Sequence, residues 1–307
     1  MRSSGHNMVV VLGPTASGKT AVAARFALQA DGEIISADSR QVYRRMTIGT
    51  GKDLSEYSIN GINIPYHLID IREPGYHYNV YEYQHDFLTV YNEIKLRNKL
   101  PVLCGGSPLY IDAVLRSYKL HKVQPDHTLR ASLEQKSTEE LIQLFTTLQK
   151  PHNKTDFDTR KRLIRAIEIA IYNASGDRPE PQLPVINSLI IGIRYERGLE
   201  MERIKCRLEE RLKNGLIEEV ESLLKTLTPE QLQYYGLEYK FVSQYLCGKI
   251  DYNRMINGLN IAIRQFAKRQ MTWFRKMERE GLNIHWLNGT LTMEEKVVAI
   301  QQLYNDQ

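Results

Sequence analysis

The sequence predicts an α/β fold in which a parallel sheet, covered by helices on both faces, is interrupted by a helical insertion. Three observations carry this reading. A valine-rich run, Met8–Leu12, leads directly into a glycine-bearing turn. Short apolar runs then alternate with helical stretches, which implies right-handed βαβ units. No strand pattern appears over residues 117–185, whereas one returns at Ser188–Arg194.

The elements follow in order. Met8–Leu12 has the continuous apolar character of a strand buried on both faces. After the turn Gly13–Thr20, residues Ala21–Ala30 have helical composition. Glu33–Ala37 is a second strand ending at Asp38, and Tyr66–Asp70 a third. Asn79–Arg97 reads as a helix, and Pro101–Cys104 as a fourth strand stopped by Gly105 and Gly106. Residues 117–185 offer helices, among them Asp156–Tyr172 with acids at its start, and finish in a breaker-rich segment holding Pro179, Pro181 and Pro184. Almost everything from Glu200 to Arg279 is helical, and Asn283–Leu287 is a last short strand. The expected division is a core of residues 1–116 and 186–307 with an insertion at 117–185.

With 42% hydrophobic and 25% charged residues, the composition is that of a globular protein with a full core. A formal net charge of +5 tolerates a polyanionic partner without demanding one. Cys104, Cys206 and Cys247 form no C-x-x-C pair, so neither a disulfide framework nor a zinc cluster is expected. No apolar run approaches the roughly 20 residues that span a bilayer, and no signal-peptide pattern opens the chain. A reducing, cytoplasmic setting without a membrane partner is the expectation.

Gly13-Pro14-Thr15-Ala16-Ser17-Gly18-Lys19-Thr20 fits G-x-x-x-x-G-K-[ST] between a strand and a helix, and makes the core P-loop NTPase-like. Glycines let the backbone curl until several N–H groups face one anion, and the helix start adds partial positive charge. Lys19 supplies a cation, and the Thr20 hydroxyl is a candidate ligand for Mg²⁺. Such a loop binds a di- or triphosphate, ATP being one option among several. In an open parallel sheet, ligands sit beyond the carboxyl ends of the strands, which is where Asp38 lies. It can accept a proton, ligate Mg²⁺ through water, or cap a turn. Asp70, closing the third strand, is a rival for the metal.

Two helices carry basic stripes. In the first, Leu163, Ile164, Ile167 and Ile171 fall opposite Lys161, Arg162 and Arg165. In the second, Met255–Arg279, the stripe Ile256, Leu259, Ile263, Phe266, Trp273 and Met277 lies opposite Arg264, Lys268 and Arg275. Each is by itself a solvated amphipathic face; two of them beside a phosphate loop fit a nucleic-acid backbone. Most of the 18 tyrosines are expected to pack rather than stack on bases.

Taken together the chain resembles the tRNA dimethylallyltransferase family, also called tRNA isopentenyltransferases. The resemblance rests on Gly13–Thr20, on Ile35–Arg44 with Met46 and Ile48-Gly49-Thr50, and on Gly105–Tyr110. Arg162–Glu168 and Arg264–Arg275 continue it in family order. It implies transfer of a dimethylallyl group from dimethylallyl diphosphate to the N6 amine of the adenosine 3′ of a tRNA anticodon, with Mg²⁺ as cofactor and a monomeric state. By position it implies that Gly13, Pro14, Thr15, Ala16, Ser17, Gly18, Lys19 and Thr20 hold the donor diphosphate. It also implies that Asp38 takes the proton from the amine and that Arg207 neutralises diphosphate. RNA contacts are implied for Asp38, Ser39, Arg40, Gln41, Ser107, Arg130, Lys161, Arg162, Leu163, Ile164 and Arg165. Tyr235, Gly236, Leu237, Glu238, Tyr239 and Lys240 complete that set.

The implied chemistry agrees with these residues. An allylic carbon leaving its diphosphate needs the departing negative charge stabilised, and adenine's amine is a poor nucleophile helped by a positioned carboxylate. The target base must leave its stack to reach such a site. The chain departs from the family pattern at Ser107-Pro108, where threonine and glycine are usual, at Gly51 and Asp53 around Lys52, and at Glu238. The Asp-Pro-x-x-Ala segment usual before the helix at Asp156 is missing. Rival readings are a small-molecule kinase or ATPase, a prenyltransferase of free adenine nucleotides, and a non-catalytic RNA-binding protein.

Overall fold

The computed structural model describes residues 5–148, 159–176 and 183–306. The expected segment around Pro179 and Pro181, and the acids at the start of the Asp156 helix, lie outside them. The chain divides into two compact units: Met1–Tyr118 with Pro184–Gln307, and Lys119–Leu183.

The first unit is built on six parallel strands in the order β5-β2-β6-β1-β7-β8. They are β1 (Met8–Leu12), β2 (Gly32–Ala37), β5 (Tyr66–His67), β6 (Leu100–Gly105), β7 (Ser188–Arg194) and β8 (Ile284–Asn288). A two-stranded hairpin that the sequence did not announce, β3 (Ser58–Ile59) and β4 (Ile62–Asn63), lies outside that sheet. β1 sits between β6 and β7, with Val9 opposite Val102 and Leu189. Every residue of β1 and β2 is buried, which explains the unbroken apolar run of β1; β2 buries Glu33 and Ser36 among its apolar residues. α1 (Lys19–Gln29) packs with one face of the sheet, while α2 (Val80–Leu96) and α3 (Pro108–Leu115) serve the other.

The third strand is shorter than Tyr66–Asp70. It stops at His67 because Leu68 and Asp70 adopt positive φ, 63° and 55°, and a left-handed residue cannot continue a strand. Asp70 is also taken up by an ion pair. It binds the Lys52 ammonium, whose side chain is wholly buried and which also donates to the carbonyl of Tyr43. The rival metal acid of the sequence is thus a structural anchor for the loop that follows β2.

After β7 the chain is helical: α7 (Arg197–Lys213), α8 (Leu216–Leu224), α9 (Pro229–Leu232), α10 (Leu237–Leu246), α11 (Tyr252–Arg279) and, beyond β8, α12 (Met293–Asn305). Asp251 caps α11 by accepting from the Arg254 N–H at 2.8 Å. The buried stripe of α11 is Met255, Leu259, Ile263, Ala267, Gln270, Phe274 and Met277. Phe266, expected in the stripe, is instead 40% exposed. The register that satisfies the core runs through Ala267 and a glutamine.

The second unit consists of α4 (His127–Glu134), α5 (Thr138–Leu148) and α6 (Arg160–Ala174), packed around Leu133, Leu141, Phe145, Leu163, Ile164 and Ile167. Thr159 caps α6 by accepting from the Arg162 N–H at 3.3 Å. Glu168, 2% exposed, lies on the inner side of α6. It accepts two hydrogen bonds from Arg130, at 3.0 and 2.7 Å, one from the Asp126 N–H at 2.6 Å, and pairs with Arg165. Burial pushes the carboxyl up, but these donors outweigh it and hold it down at about 2. A depressed carboxylate stabilises the fold above its unfolded value near 4.3 and loses that contribution as pH falls toward about 2. Glu168→Gln is therefore expected to weaken this unit by about 3 kcal/mol at neutral pH and to flatten its acid sensitivity between about pH 4 and 2. Hydrogen exchange of amides in α4–α6 across that range checks both; unchanged protection would remove the ionic cluster from the unit's stability.

Candidate active site

β1 delivers the phosphate loop. Ala16 and Gly18 take positive φ, 60° and 75°, so the chain curls back before entering α1. At Gly13 an added Cβ would lie 2.6 Å from the Ile193 carbonyl oxygen, so only glycine lets the loop lie this close to β7. Lys19 donates to the Pro14 carbonyl at 3.3 Å across the loop. Loss of solvation by burial lowers its ammonium below the ordinary lysine range; Arg207 adds to that effect and Asp38 opposes it. Lysine, arginine and carboxylate therefore share one electrostatic environment, as expected of a site for phosphate and a base.

Asp38 leaves the carboxyl end of β2. Only β6 separates β2 from β1, so Asp38 and the phosphate loop lie two strand positions apart at the same end of the sheet. Both its hydrogen bonds to the following turn fall on one oxygen: Oδ1 accepts from the N–H groups of Arg40 at 2.8 Å and Gln41 at 3.4 Å. Among the described residues Oδ2 takes no hydrogen bond, so turn-capping and proton transfer are compatible roles. β6 ends at Gly105, where any Cβ would collide with the Ala37 carbonyl. This close approach brings Ser107 beside Ser39, and the Ser107 Oγ accepts from the Ser39 N–H at 2.9 Å.

Arg207, on α7, pairs with Asp53, the acid that stands where the family pattern has proline. Its neighbour Arg203 donates to the Ala16 carbonyl of the phosphate loop at 3.0 Å and lies over the Tyr195 ring. α7 thus sets two arginines beside the loop, and only one of them was singled out from the sequence. Glu56 is a second residue the sequence reading missed. Burial, with the nearby Asp53 charge, raises its carboxyl to about 7, while a hydrogen bond with Thr20 and the cations Arg207 and Lys19 oppose this. Among the described residues no three His, Cys, Asp or Glu side chains gather to hold a metal. The Thr20 hydroxyl and the nearby Glu56 carboxyl are oxygen donors of the kind Mg²⁺ takes, an ion usually held by one or two protein groups and the substrate's phosphates.

The remaining predicted residues divide by environment. The Arg40 guanidinium lies 4.9 Å from the centre of the Tyr234 ring. Gln41 donates to the Gly51 carbonyl at 3.0 Å and so braces its own loop. Tyr235 and Tyr239 are buried; the Tyr235 hydroxyl accepts from the Gly75 N–H, and Tyr239 donates to Glu219 at 2.8 Å. Glu238 pairs with Arg211 at 2.8 Å, while Gly236, Leu237 and Lys240 are partly exposed. In the second unit Lys161 and Arg162 are exposed and Leu163 and Ile164 are core, whereas Arg130 and Arg165 are engaged by Glu168. Glu219, absent from the sequence reading, gathers the N–H groups of Thr47, Ile48 and Gly49 at 2.8, 2.8 and 3.0 Å. It fixes the segment that leads to Lys52 and Asp53.

Comparison with known proteins bears on this arrangement. The family model described as IPP transferase matches residues 41–277, and one described as isopentenyl transferase matches residues 6–66. The chain belongs to the IPP transferase family. Among its curated relatives in this family, tRNA dimethylallyltransferase 1 of Parabacteroides distasonis is 54% identical over 303 residues, which is 98% of this chain and 99% of the relative. tRNA dimethylallyltransferase 2 of Bacteroides fragilis is 54% identical over 298 residues, 97% of each. Among solved family structures, the full-length tRNA isopentenylpyrophosphate transferase of Bacillus halodurans aligns with a TM-score of 0.71 at 32% identity, covering 97% of this chain and 95% of that one. A eukaryotic dimethylallyltransferase acting on tRNA shares the fold, with a TM-score of 0.78 at 18% identity over 99% of this chain and 80% of that one.

Proposed function

We propose that the protein transfers a dimethylallyl group from dimethylallyl diphosphate to the N6 amine of the adenosine 3′ of the anticodon in certain tRNAs. The observation that carries this reading is the meeting of the phosphate loop, Asp38 and Arg207 at one end of the sheet, in a chain whose relatives are named for this reaction. The allylic C–O bond breaks as the C–N bond forms. Diphosphate departs with the electron pair, and the amine's proton passes to Asp38. Residues 13–20 present backbone amides and the Lys19 ammonium to the diphosphate, and Arg207 adds a second cation. Thr20, with Glu56 beside it, would hold Mg²⁺, which would supply further charge neutralisation on the leaving group.

The RNA face of this reading draws on Asp38–Gln41, Ser107 and the Tyr235–Lys240 segment, with Arg40 and Lys240 as its cations. In the second unit the cations Lys161, Arg162, Arg165 and Arg130 add contacts, Lys161 and Arg162 from exposed positions. On α11, Lys268 and Arg275 are exposed and Arg264 half-buried. A cytoplasmic monomer completes the proposal. No helix among the described residues is long and apolar enough to cross a membrane.

Incubation with labelled dimethylallyl diphosphate, Mg²⁺ and a tRNA pool, followed by nucleoside analysis, tests the reaction. Label in N6-(dimethylallyl)adenosine is expected; label in free adenine nucleotides instead, or ADP released in step with turnover, overturns it. Replacing Lys161, Lys268 and Arg275 together with alanine is expected to weaken tRNA binding and to reduce its salt slope by about 2 to 3, roughly one per lost phosphate contact. An unchanged slope assigns these side chains to solvent.

A further inference from the structure

Gln270 occupies a position that packing alone would give to an aliphatic residue. It lies on the inner stripe of α11 between Ala267 and Phe274, and is 4% exposed. The two halves of its side-chain amide go to two different loops. Oε1 accepts from the Thr15 N–H in the phosphate loop at 2.9 Å. Nε2 donates to the Gly106 carbonyl at 2.6 Å. The residue after Gly106 is Ser107, whose Oγ accepts from the Ser39 N–H at 2.9 Å, and the next N–H along, that of Arg40, holds the Asp38 carboxylate. A continuous line of hydrogen bonds and short backbone links therefore runs from the phosphate loop, through one glutamine, to Asp38.

Several features mark this joint as specific. An amide offers one acceptor and one donor group on a flat frame, so it can satisfy a lone N–H and a lone C=O at once without bringing charge into the core. A carboxylate in its place would face the Gly106 carbonyl with no donor. Gly106 leaves the room required: a Cβ there would lie 2.8 Å from Nε2 and 3.3 Å from the Lys19 ammonium. The joint is thus directly beside the cation that faces the donor. Buried and paired on both sides, it resists displacement more than a solvent-exposed bond does.

We propose that Gln270 is a positioning residue that sets the separation between the diphosphate loop and the Asp38 carboxylate, and hence between the allylic carbon and the amine it alkylates. This rests on the assignment of Asp38 as proton acceptor. A misplacement of about 1 Å between reacting groups costs on the order of 10²-fold in rate. The effect belongs to turnover and not to donor binding, because the remaining loop amides, Lys19 and Arg207 are left in place.

The test is a double-mutant cycle on the full-length protein. Gln270→Met conserves volume and removes both hydrogen bonds. Its single-turnover rate at saturating tRNA and donor is expected to fall by roughly 30–100-fold, with donor affinity within about 3-fold of the parent. In the Asp38→Asn background the same change is expected to cost less than about 3-fold, since the carboxylate it positions is gone. A loss that repeats in full in that background, or no loss in the parent, overturns the inference. Gln270→Leu, which also removes both hydrogen bonds, is expected to reproduce the pattern and serves if Gln270→Met fails to fold; a normal rate in Gln270→Leu is equally fatal. The outcomes separate the two levels. Slow Asp38→Asn with fast Gln270→Met sinks only the positioning role, whereas near-normal Asp38→Asn removes the base and Gln270's task with it.

Discussion

Replacing Asp38 with asparagine is expected to slow single-turnover transfer by roughly 10²–10⁴-fold, while donor affinity stays within a few-fold of the parent. The local geometry makes this substitution clean. Asparagine keeps an Oδ1 acceptor for the Arg40 and Gln41 N–H groups, so the turn after β2 survives. What disappears is the basicity of the carboxylate beside Lys19. Rapid-quench measurements with saturating tRNA read the chemical step, and separate titrations read the donor. If Asp38 only capped its turn, the amide would serve as well and the rate would stay near that of the parent. If it organised Mg²⁺, donor affinity would fall and respond to added metal.

The second large effect concerns Arg207. Arg207→Gln is expected to weaken binding of dimethylallyl diphosphate and of inorganic diphosphate by roughly 10–100-fold, the range for one lost charge-assisted hydrogen bond. Asp53 sharpens the prediction. It pairs with the same guanidinium that the diphosphate would engage, so Asp53→Asn is expected to tighten donor binding in the parent and to have little effect once Arg207 is gone. Calorimetric titration of the four proteins with inorganic diphosphate and Mg²⁺ measures this directly. Equal affinities for parent and Arg207→Gln would take Arg207 out of the diphosphate site.

Much of this was readable in the chain itself, for identifiable reasons. The central strands announce themselves because burial on both faces favours apolar runs, as in Met8–Leu12 and the buried stretch 189–193. The phosphate loop is legible because its glycines answer to backbone geometry that few other residues tolerate. The failures have equally physical causes. Tyr66–Asp70 carries a strand-like pattern, but Leu68 and Asp70 turn left-handed so that the Asp70 carboxylate can meet Lys52. That contact spans 18 residues, and no local pattern encodes it.

The apolar pattern of α11 points to Phe266 as core and leaves Gln270 outside the stripe. Yet the i, i+4, i+7 register from Ile263 passes through Ala267 and Gln270. A polar residue in an apolar register was the available signal. Glu219 and Glu56 gave no such sign, since each is defined by backbone or side-chain donors contributed from far along the chain. Arg130 and Arg165 have a partner that no local pattern shows: the buried Glu168, on the same helix as Arg165, pairs with both.

The strand order has a bearing on how the protein is made. β1 is synthesised before the other strands of its sheet, and its five residues are all buried in the finished sheet. One of its neighbours, β6, follows within about a hundred residues, but the other, β7, begins only at Ser188, after the whole second unit. During synthesis the valines of β1 therefore wait beside an open edge while Lys119–Leu183, whose contacts are local, is free to fold around its own core. β8 pairs with the far side of β7 later still in the chain. A nascent chain stalled before Ser188 presents a flat, apolar, unpaired strand edge, the kind of surface that recruits other strands. Truncated products ending in that interval are the ones from which aggregation is expected, and the completed sheet is what protects the full-length chain.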